Sequence, residues 1–519
     1  MKPTTPTRRQ FTTGALAAGT FGAATLATSS LPSTARAAFG TANASTPNPA
    51  PHWLSMLGTS QKDQPLTGLR IEGKLPQGLS GTLYRNGPGL FERDDYRKAS
   101  VLDGDGYVQA VSIGGGKATH QARFVRTEKY LDEEKAGKYL GATWTTRAPG
   151  GMFSNLGGGG IRDQAGVTTY QVRDTLYAID ENTATVHELD PNTLHTKTTH
   201  PAGVVEGMTI KAHTKIDAHT GDWMMLGGNY GPSMSIASAV HHKDGTRTAL
   251  PATKAPRQVY THDFFATENY FLLYLQPAFF NPLSFLAGLN SFTQSIKWKP
   301  EEGGLLALLP RNGDEPRYIE TPSSWMWHAL NAYEEGNTLI ADFVGYDSPQ
   351  HFIGEDPAFS AIMEGRLAAN QTGGHLRRFV VNLDTNTARE ERIAEGPFEF
   401  PMGHAAMALH KHRYGYMSYG AHDSIFHSGL ARVDTQTGNT TTVDLGEKIW
   451  VGEPIHAPDP ARPLQENAGW IIAQALDGAT NKSFYAVFNA DDLAAGPIAK
   501  LHLDTHMPIS FHGHWSAHT

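Results

Sequence analysis

The stretch WMWHALNAYEEGNTLIAD, Trp325 to Asp342, carries the reading of the fold. Aromatic and small apolar residues run to Tyr333, the chain turns at Glu335-Gly336-Asn337, and TLIAD returns, which is the pattern of a β-hairpin. Side chains alternate along a strand, so Trp327, Ala329 and Asn331 are expected on one face and Met326, His328 and Leu330 on the other. His328 then stands on an inward, mostly apolar row. Alone, an imidazole so placed reads as a hydrogen-bonded core residue. The rest of the chain changes that reading.

Outward from the hairpin, strand-like runs recur, among them VTTYQV, TLYAID, WMMLGG, YFLLYL, RRFVVNLD, YGYMSYG, TTTVDL and GWIIAQALD. Several lead into or out of an Asp-Thr turn, as in Asp190-Pro191-Asn192-Thr193, Asp384-Thr385-Asn386-Thr387 and Asp434-Thr435-Gln436-Thr437. The 54 glycines and 31 prolines among 519 residues also favour short strands and turns over helices. An all-β propeller or a large sandwich fits this repetition. About seven blades would leave roughly 69 residues each, well above compact propeller repeats of ~40 to 45, so long loops should cap one face.

A formal charge of -8, with 18% charged residues, supplies no electrostatic footprint for nucleic acid. Thr7-Arg8-Arg9-Gln10-Phe11, an apolar run from Gly14 to Thr28 and Ala35-Arg36-Ala37 together read as a twin-arginine export signal over residues 1–37. Residues 38–64 read as a linker and entry loop, and 65–519 as one domain. With no cysteine, the fold must rest on core burial and sheet pairing rather than disulfides.

Three further stretches need weighing. Asp103-Gly104-Asp105-Gly106 hints at a calcium loop but lacks that motif's remaining ligands, so it reads as a tight turn. GGMFSNLGGGG, from Gly150 to Gly160, lacks the Lys-Ser/Thr of a phosphate cradle and reads as a surface loop. Tyr270 to Phe292 holds no charged residue, yet Pro277 and Pro282 break it as a membrane helix. It reads as a strand leaving the sheet into an apolar lid that lines a tunnel or touches a membrane surface.

The histidines of interest besides His328 are His213 in KAHTKIDAHTGDW, His262 in THDFFATENY and His512 in SFHGHW. They lie far apart in sequence, unlike a local His-Glu-x-x-His site. Such spacing suits a radial fold in which different blades each send one residue to a common axis. With 24 histidines in the chain, spacing alone selects none of them. His410, Lys411 and His412 read as a solvated strand end, and His514 lies two residues beyond His512 with Gly513 between them.

LYRNGPG, DGDG, RFVRTEKYL, KAHTKID with TGD, HDFFATENY, HALNAYEEG, FEFP, GEPI and FHGHW follow one another in the order seen in carotenoid cleavage oxygenases. From Leu66 to Trp515 the chain resembles that family. The resemblance implies a seven-bladed β-propeller whose long loops cap one face over an axial metal site. It implies Fe(II) held by His213, His262, His328 and His512, with Glu181, Glu399 and Glu453 behind the ligands. A carboxylate accepting the outer N–H of a ligating imidazole fixes its tautomer and aim. Four neutral ligands leave the ion's charge for three nearby carboxylates to balance.

An apolar substrate and O2 are the implied partners. Val167, Phe264, Phe265, Phe279, Phe280, Trp325 and Trp327 are the expected tunnel lining, with residues 270–292 as the expected membrane contact. The chain departs from the family pattern at Thr214, where proline is usual, at Tyr107, where methionine is common, and at Val167. The reaction implied is oxygenative cleavage of a carbon-carbon double bond of a carotenoid or apocarotenoid. Alternatives are cleavage of stilbenes or phenylpropenes, an isomerohydrolase, or a lipid-binding propeller. In the stilbene-type branch a lysine precedes the first of the three glutamates, whereas here Asp180 precedes Glu181.

Overall fold

Antiparallel hairpins follow one another along the chain, and in the computed structural model they pack radially as seven blades. It describes residues 57, 62–181, 183–201, 208–230, 233–366, 368, 373–422 and 426–518. The export signal and nearly all of the expected linker lie outside the described residues.

Blade 1 runs outward from His512–Ala517 through Gly81–Leu90, Asp105–Gly114 and Lys117–Phe124 to Gln64–Gly68. Blade 2 comprises Thr168–Val172, Thr175–Ile179, Thr185–Leu189 and Thr196–Pro201, and blade 3 is built around Trp223–Tyr230 and Met234–His241. Blade 4 comprises Phe265–Ala266, Tyr270–Leu275, Gly304–Pro310 and Arg317–Thr321. The hairpin Trp325–Glu335 and Thr338–Tyr346 opens blade 5. One long strand, Thr387–Met402, then serves two blades. Its first half is the outer edge of blade 5, and beyond a shift in register its second half is the innermost strand of blade 6.

Ring closure uses both chain ends. The C-terminal strand His512–Ala517 is the inner strand of a blade otherwise built from N-terminal residues. Arg70–Gly73 adds the outer strand of blade 7, beside Ala499–His502. Closing the ring this way buries the facing sides of blades 1 and 7 in one core, while each blade keeps a short outer edge. Ordered structure also begins earlier than the sequence suggests. Gln64–Gly68 pairs with Lys117–Phe124, Asp63 accepts from the Phe124 amide at 3.0 Å, and Leu57 is buried. A polar, mostly exposed edge strand resembles a linker because only its backbone is engaged.

Asp-Thr turns work as expected: Asp190 Oδ1 accepts from the Asn192 and Thr193 amides at 2.9 and 3.0 Å, and Asp434 Oδ1 from the Gln436 amide at 3.0 Å. The DGDG turn has a positional role. A Cβ on Gly106 would lie 2.1 Å from the Ala165 carbonyl oxygen, so only glycine allows this approach. Asn86 Nδ2 donates to the carbonyls of Ala165 and Thr168 at 2.7 and 3.0 Å. RNGPG and DGDG thus clamp the segment that carries Val167 towards the axis.

Candidate metal centre

Each of the seven inner segments sends one or two side chains to the axis. His512 comes from blade 1, and Val167 and Thr168 from blade 2. In blade 3 the inner strand is split into Thr209–Ile210 and Lys215–Ile216, with His213 in the gap. His262 lies just before Phe265–Ala266 in blade 4, and His328 lies within Trp325–Glu335 in blade 5. Glu399 is on the inner half-strand of blade 6. Glu453 fills a second gap, between Ile449–Val451 and Ile455–Pro458 of blade 7.

His213, His262, His328 and His512 are all buried, and one ring nitrogen from each lies within 4.8 Å of the others. His213 Nε2 and His262 Nε2 are 3.1 Å apart. Two donors each about 2.1 Å from a shared ion and at right angles lie about 3.0 Å apart, so the cluster fits one metal ion. At 2.6 Å His328 Nδ1–H donates to Glu399, and at 2.9 Å His512 Nδ1–H donates to Glu453. With Nδ1 protonated, Nε2 is left as the lone-pair donor towards the axis.

The third glutamate behaves differently. Glu181 takes Lys211 Nζ at 2.7 Å and the Ala212 amide at 3.0 Å, and its contact with His262 Nδ1 is 3.5 Å. The nearer partner of His262 Nδ1 is the Tyr260 hydroxyl, at 3.1 Å. Lys211, buried against Glu181, was not singled out in the sequence; burial alone would lower its pKa, but the Glu181 charge raises it. Among the described residues no carboxylate pairs with His213. The three glutamates thus grip two rings firmly and one loosely.

Burial, followed by the neighbouring imidazoles, pushes His213 and His262 well below the usual histidine range. His328 is also disfavoured by burial, but the Glu399 charge and hydrogen bond outweigh that and raise it. Asp263 braces three inner segments. Its carboxylate accepts from Lys215 Nζ at 2.8 Å, from the Phe264 amide at 2.7 Å and from the Ala329 amide at 2.9 Å.

Two cavities meet at the histidines. The upper one, about 450 Å³, touches His262, His328 and His512 and is walled by Val101, Leu102, Trp144, Val167, Trp327 and Phe359 among others. On the other side a cavity of about 400 Å³ reaches His213, His328 and His512 along the axis. Val167 and Trp327 thus line the upper cavity as expected. Phe264, Phe279, Phe280 and Trp325 line neither cavity, and Phe265 lines the lower one. Phe264 packs between blades, Phe265 against blade 5, and Phe280 and Trp325 in an aromatic cluster behind the wall, with Phe279 packed at the edge of the core.

Alternation along the hairpin also fails locally. Register shifts between Met326 and Ala329, and again before Asn331, mark bulges that turn Trp327 and His328 towards the same cavity. Phe400, absent from the sequence reading, has φ +53° and stacks on His328 with ring centroids 5.3 Å apart. A bulky residue in that conformation is strained, and such strain gathers at functional sites.

His514 stays out of the cluster: it stacks on Tyr84 and its Nδ1 bonds the Thr169 carbonyl at 3.1 Å. Gly513 separates the two histidines because a Cβ there would lie 2.1 Å from the Tyr84 carbonyl oxygen. His412 is not solvated, as the sequence suggested; it is buried 3.1 Å from Asp342. Asp217, His219 and His410 form a second trio near the surface. The two rings stack 3.7 Å apart and nearly parallel, so their lone pairs do not converge.

A lid does form after Tyr270–Leu275, but it turns outward. The short helix Pro282–Leu286 buries none of its residues, and Leu283, Leu286 and Leu289 are 78%, 52% and 56% exposed. It packs beside the glycine-rich loop, where Phe153 is 80% exposed. The expected surface loop is thus half of an apolar patch. No helix among the described residues is long and apolar enough to cross a membrane.

A closed propeller whose inner strands deliver four imidazoles to an axial, cavity-flanked position defines a β-propeller metalloprotein. Residues 58–517 match the family model described as retinal pigment epithelial membrane protein, and the chain belongs to this family, that of the carotenoid cleavage oxygenases. It is 30% identical to an apocarotenoid-15,15'-oxygenase of Synechocystis over 86% of this chain and 92% of that protein. Identity to an isoeugenol monooxygenase of Pseudomonas nitroreducens is 26%, covering 90% and 98%. A solved structure of cobalt-substituted Synechocystis apocarotenoid oxygenase superimposes with a TM-score of 0.83 at 27% identity, covering 90% and 98% of the two chains.

Proposed function

We propose that this chain is an Fe(II)-dependent oxygenase that cleaves a carbon-carbon double bond of a carotenoid or apocarotenoid into carbonyl products. The observation that carries the reading is the pairing of the four-imidazole cluster with a largely apolar cavity. When bound, iron would supply O2 activation against an electron-rich alkene, chemistry that no protein side chain provides. Neutral all-nitrogen ligation with positions left open suits a redox metal. Apolar walls at Val101, Leu102, Trp144 and Trp327 hold a polyene and exclude water, and Val167 shields one approach to the cluster. Purified protein should carry stoichiometric iron and incorporate label from 18O2 into cleaved polyene; iron-loaded protein that incorporates none would refute the assignment.

Phenolic stilbenes are the second reading, favoured by the isoeugenol and lignostilbene relatives. Against it stands Asp180 in the cavity wall, where a carboxylate would repel a phenolate. Burial and then the Asp163 charge push Asp180 up to about 7, so near neutrality it is part-protonated and the repulsion reaches full strength only as pH rises above that. Comparing turnover of an apocarotenal and isoeugenol decides the order; strong preference for the phenol would reverse it.

Two further readings belong with this function. The apolar patch of Phe153, Leu283, Leu286 and Leu289 suits contact with a lipid surface from which an apolar substrate is drawn. Leu283→Asp/Leu286→Asp should abolish cosedimentation with vesicles while leaving turnover of detergent-dispersed substrate intact. The twin-arginine signal implies export of the folded protein, and Arg8→Lys/Arg9→Lys should retain it inside the cell.

A further inference from the structure

Lys211 stands two residues before His213, in the gap between the two inner half-strands of blade 3, and is 3% exposed. Its Nζ donates to Glu181 Oε1 at 2.7 Å, to the Tyr230 hydroxyl at 3.4 Å and to the carbonyl of Thr261, the residue before His262. The rings of Tyr230 and Tyr260 flank the ammonium, with centroids at 5.7 and 5.6 Å. A single buried cation thus joins Glu181 to the backbone that carries His262.

A cation beside a glutamate does not by itself loosen the histidine. Glu453 holds Arg85 at 2.6 Å through Oε2 and still takes His512 Nδ1–H at 2.9 Å through Oε1. At Glu181 both oxygens are engaged elsewhere, Oε1 by Lys211 and Oε2 by the Ala212 amide at 3.0 Å, and His262 Nδ1 is left at 3.5 Å. His262 Nε2 faces the cluster, 3.1 Å from His213 Nε2, so the ring proton sits on Nδ1 and turns to the Tyr260 hydroxyl at 3.1 Å. A neutral phenol oxygen raises the basicity of a ligating imidazole less than a carboxylate does. A cation screened so little by solvent also disfavours the more highly charged state of a metal ion beside it.

We propose that Lys211 is a positioning residue that tunes the metal: by holding Glu181 away from His262, and by its own charge, it favours Fe(II) over Fe(III) at the four-histidine site. Iron then stays ferrous between encounters with O2. This rests on the iron-dependent reading above.

The test is the one-electron reduction potential of iron-loaded wild type, Lys211→Met and Lys211→Gln, measured by redox titration. Lys211→Met removes the charge and frees Glu181 to take His262 Nδ1–H. Carboxylate support of a ligand is worth about 10-fold in metal affinity at the low end, and a tenfold gain for Fe(III) over Fe(II) lowers the potential by about 59 mV. In Zn(II)-loaded Lys211→Met the His262 Nδ1–H proton resonance should move downfield, towards those of His328 and His512. Lys211→Gln loses the charge but keeps a donor against Glu181, so its potential should fall by less, with the His262 resonance near its wild-type position.

An unchanged or raised potential in either variant would overturn the proposal, because a purely structural role for Lys211 moves stability and not potential. Potentials that fall as expected in iron-loaded protein that incorporates no label from 18O2 would instead overturn the oxygenase reading and leave the role of Lys211 standing.

Discussion

Replacing Glu453 by glutamine should damage the protein far more than the same change at Glu399, although each glutamate holds one ring. Glu453 is surrounded by donors. Its Oε1 accepts from His512 Nδ1, and its Oε2 accepts from Arg85 Nη1 at 2.6 Å and from the Gly513 amide at 3.0 Å. A glutamine there must turn its NH2 against a donor whichever way it points. It also leaves the guanidinium of Arg85, which is 0% exposed, without its counter-charge. Removing one partner of a buried ion pair destabilises by about 3 to 5 kcal/mol.

Glu399 uses only Oε2, which takes both His328 Nδ1–H and the Phe400 amide. Its Oε1 receives no hydrogen bond, and the neighbouring Tyr346 phenol can accept as well as donate. Glutamine fits that pattern, with a stability loss under about 2 kcal/mol. Both variants should lose metal affinity by about 10- to 100-fold, since each weakens the basicity of its histidine, with Glu399→Gln at the lower end. Denaturant unfolding of the metal-free proteins separates fold stability from metal binding, and metal titration then gives affinity. Metal-free Glu453→Gln unfolding within about 1 kcal/mol of wild type would refute the role given to Arg85. Arg85→Met/Glu453→Gln should recover part of the loss, because an absent pair is cheaper than a broken one.

Other outcomes follow from the same geometry. His262→Ala and His328→Ala should each abolish stoichiometric metal binding and turnover, measured as metal per chain alongside activity. His512→Ala should do the same while His514→Ala keeps metal content near wild type; the reverse result would mean the wrong member of the terminal pair was chosen. His120 and His456 are buried and His427 is half-buried, and desolvation lowers their pKa values to about 4, 3 and 4 respectively. Below the unfolded value of about 6.5 the unfolded chain binds the extra protons, so stability is full above pH ~6.5 and falls as pH drops towards 4. Unfolding free energy against pH should show that slope, and His120→Phe should flatten it.

The alternating strands, the Asp-Thr turns and the many glycines and prolines sufficed to indicate a many-stranded all-β fold, since strand period and turn chemistry are local properties. The four histidines and three glutamates were legible because ordered motifs carried them, though nothing in their spacing placed them together. Only ring closure does that: seven inner segments converge on one axis, so residues hundreds of positions apart become neighbours.

What decides function at finer grain was invisible along the chain. Bulges beside His328 turned Trp327 into the cavity against the strand alternation. Packing between blades took Phe264 away from it, and the loose contact of Glu181 with His262 arose because Lys211 competes for the carboxylate. Local sequence sets which elements form and which faces are apolar; which polar atoms are left unpaired, and over what cavity, is settled when distant strands meet.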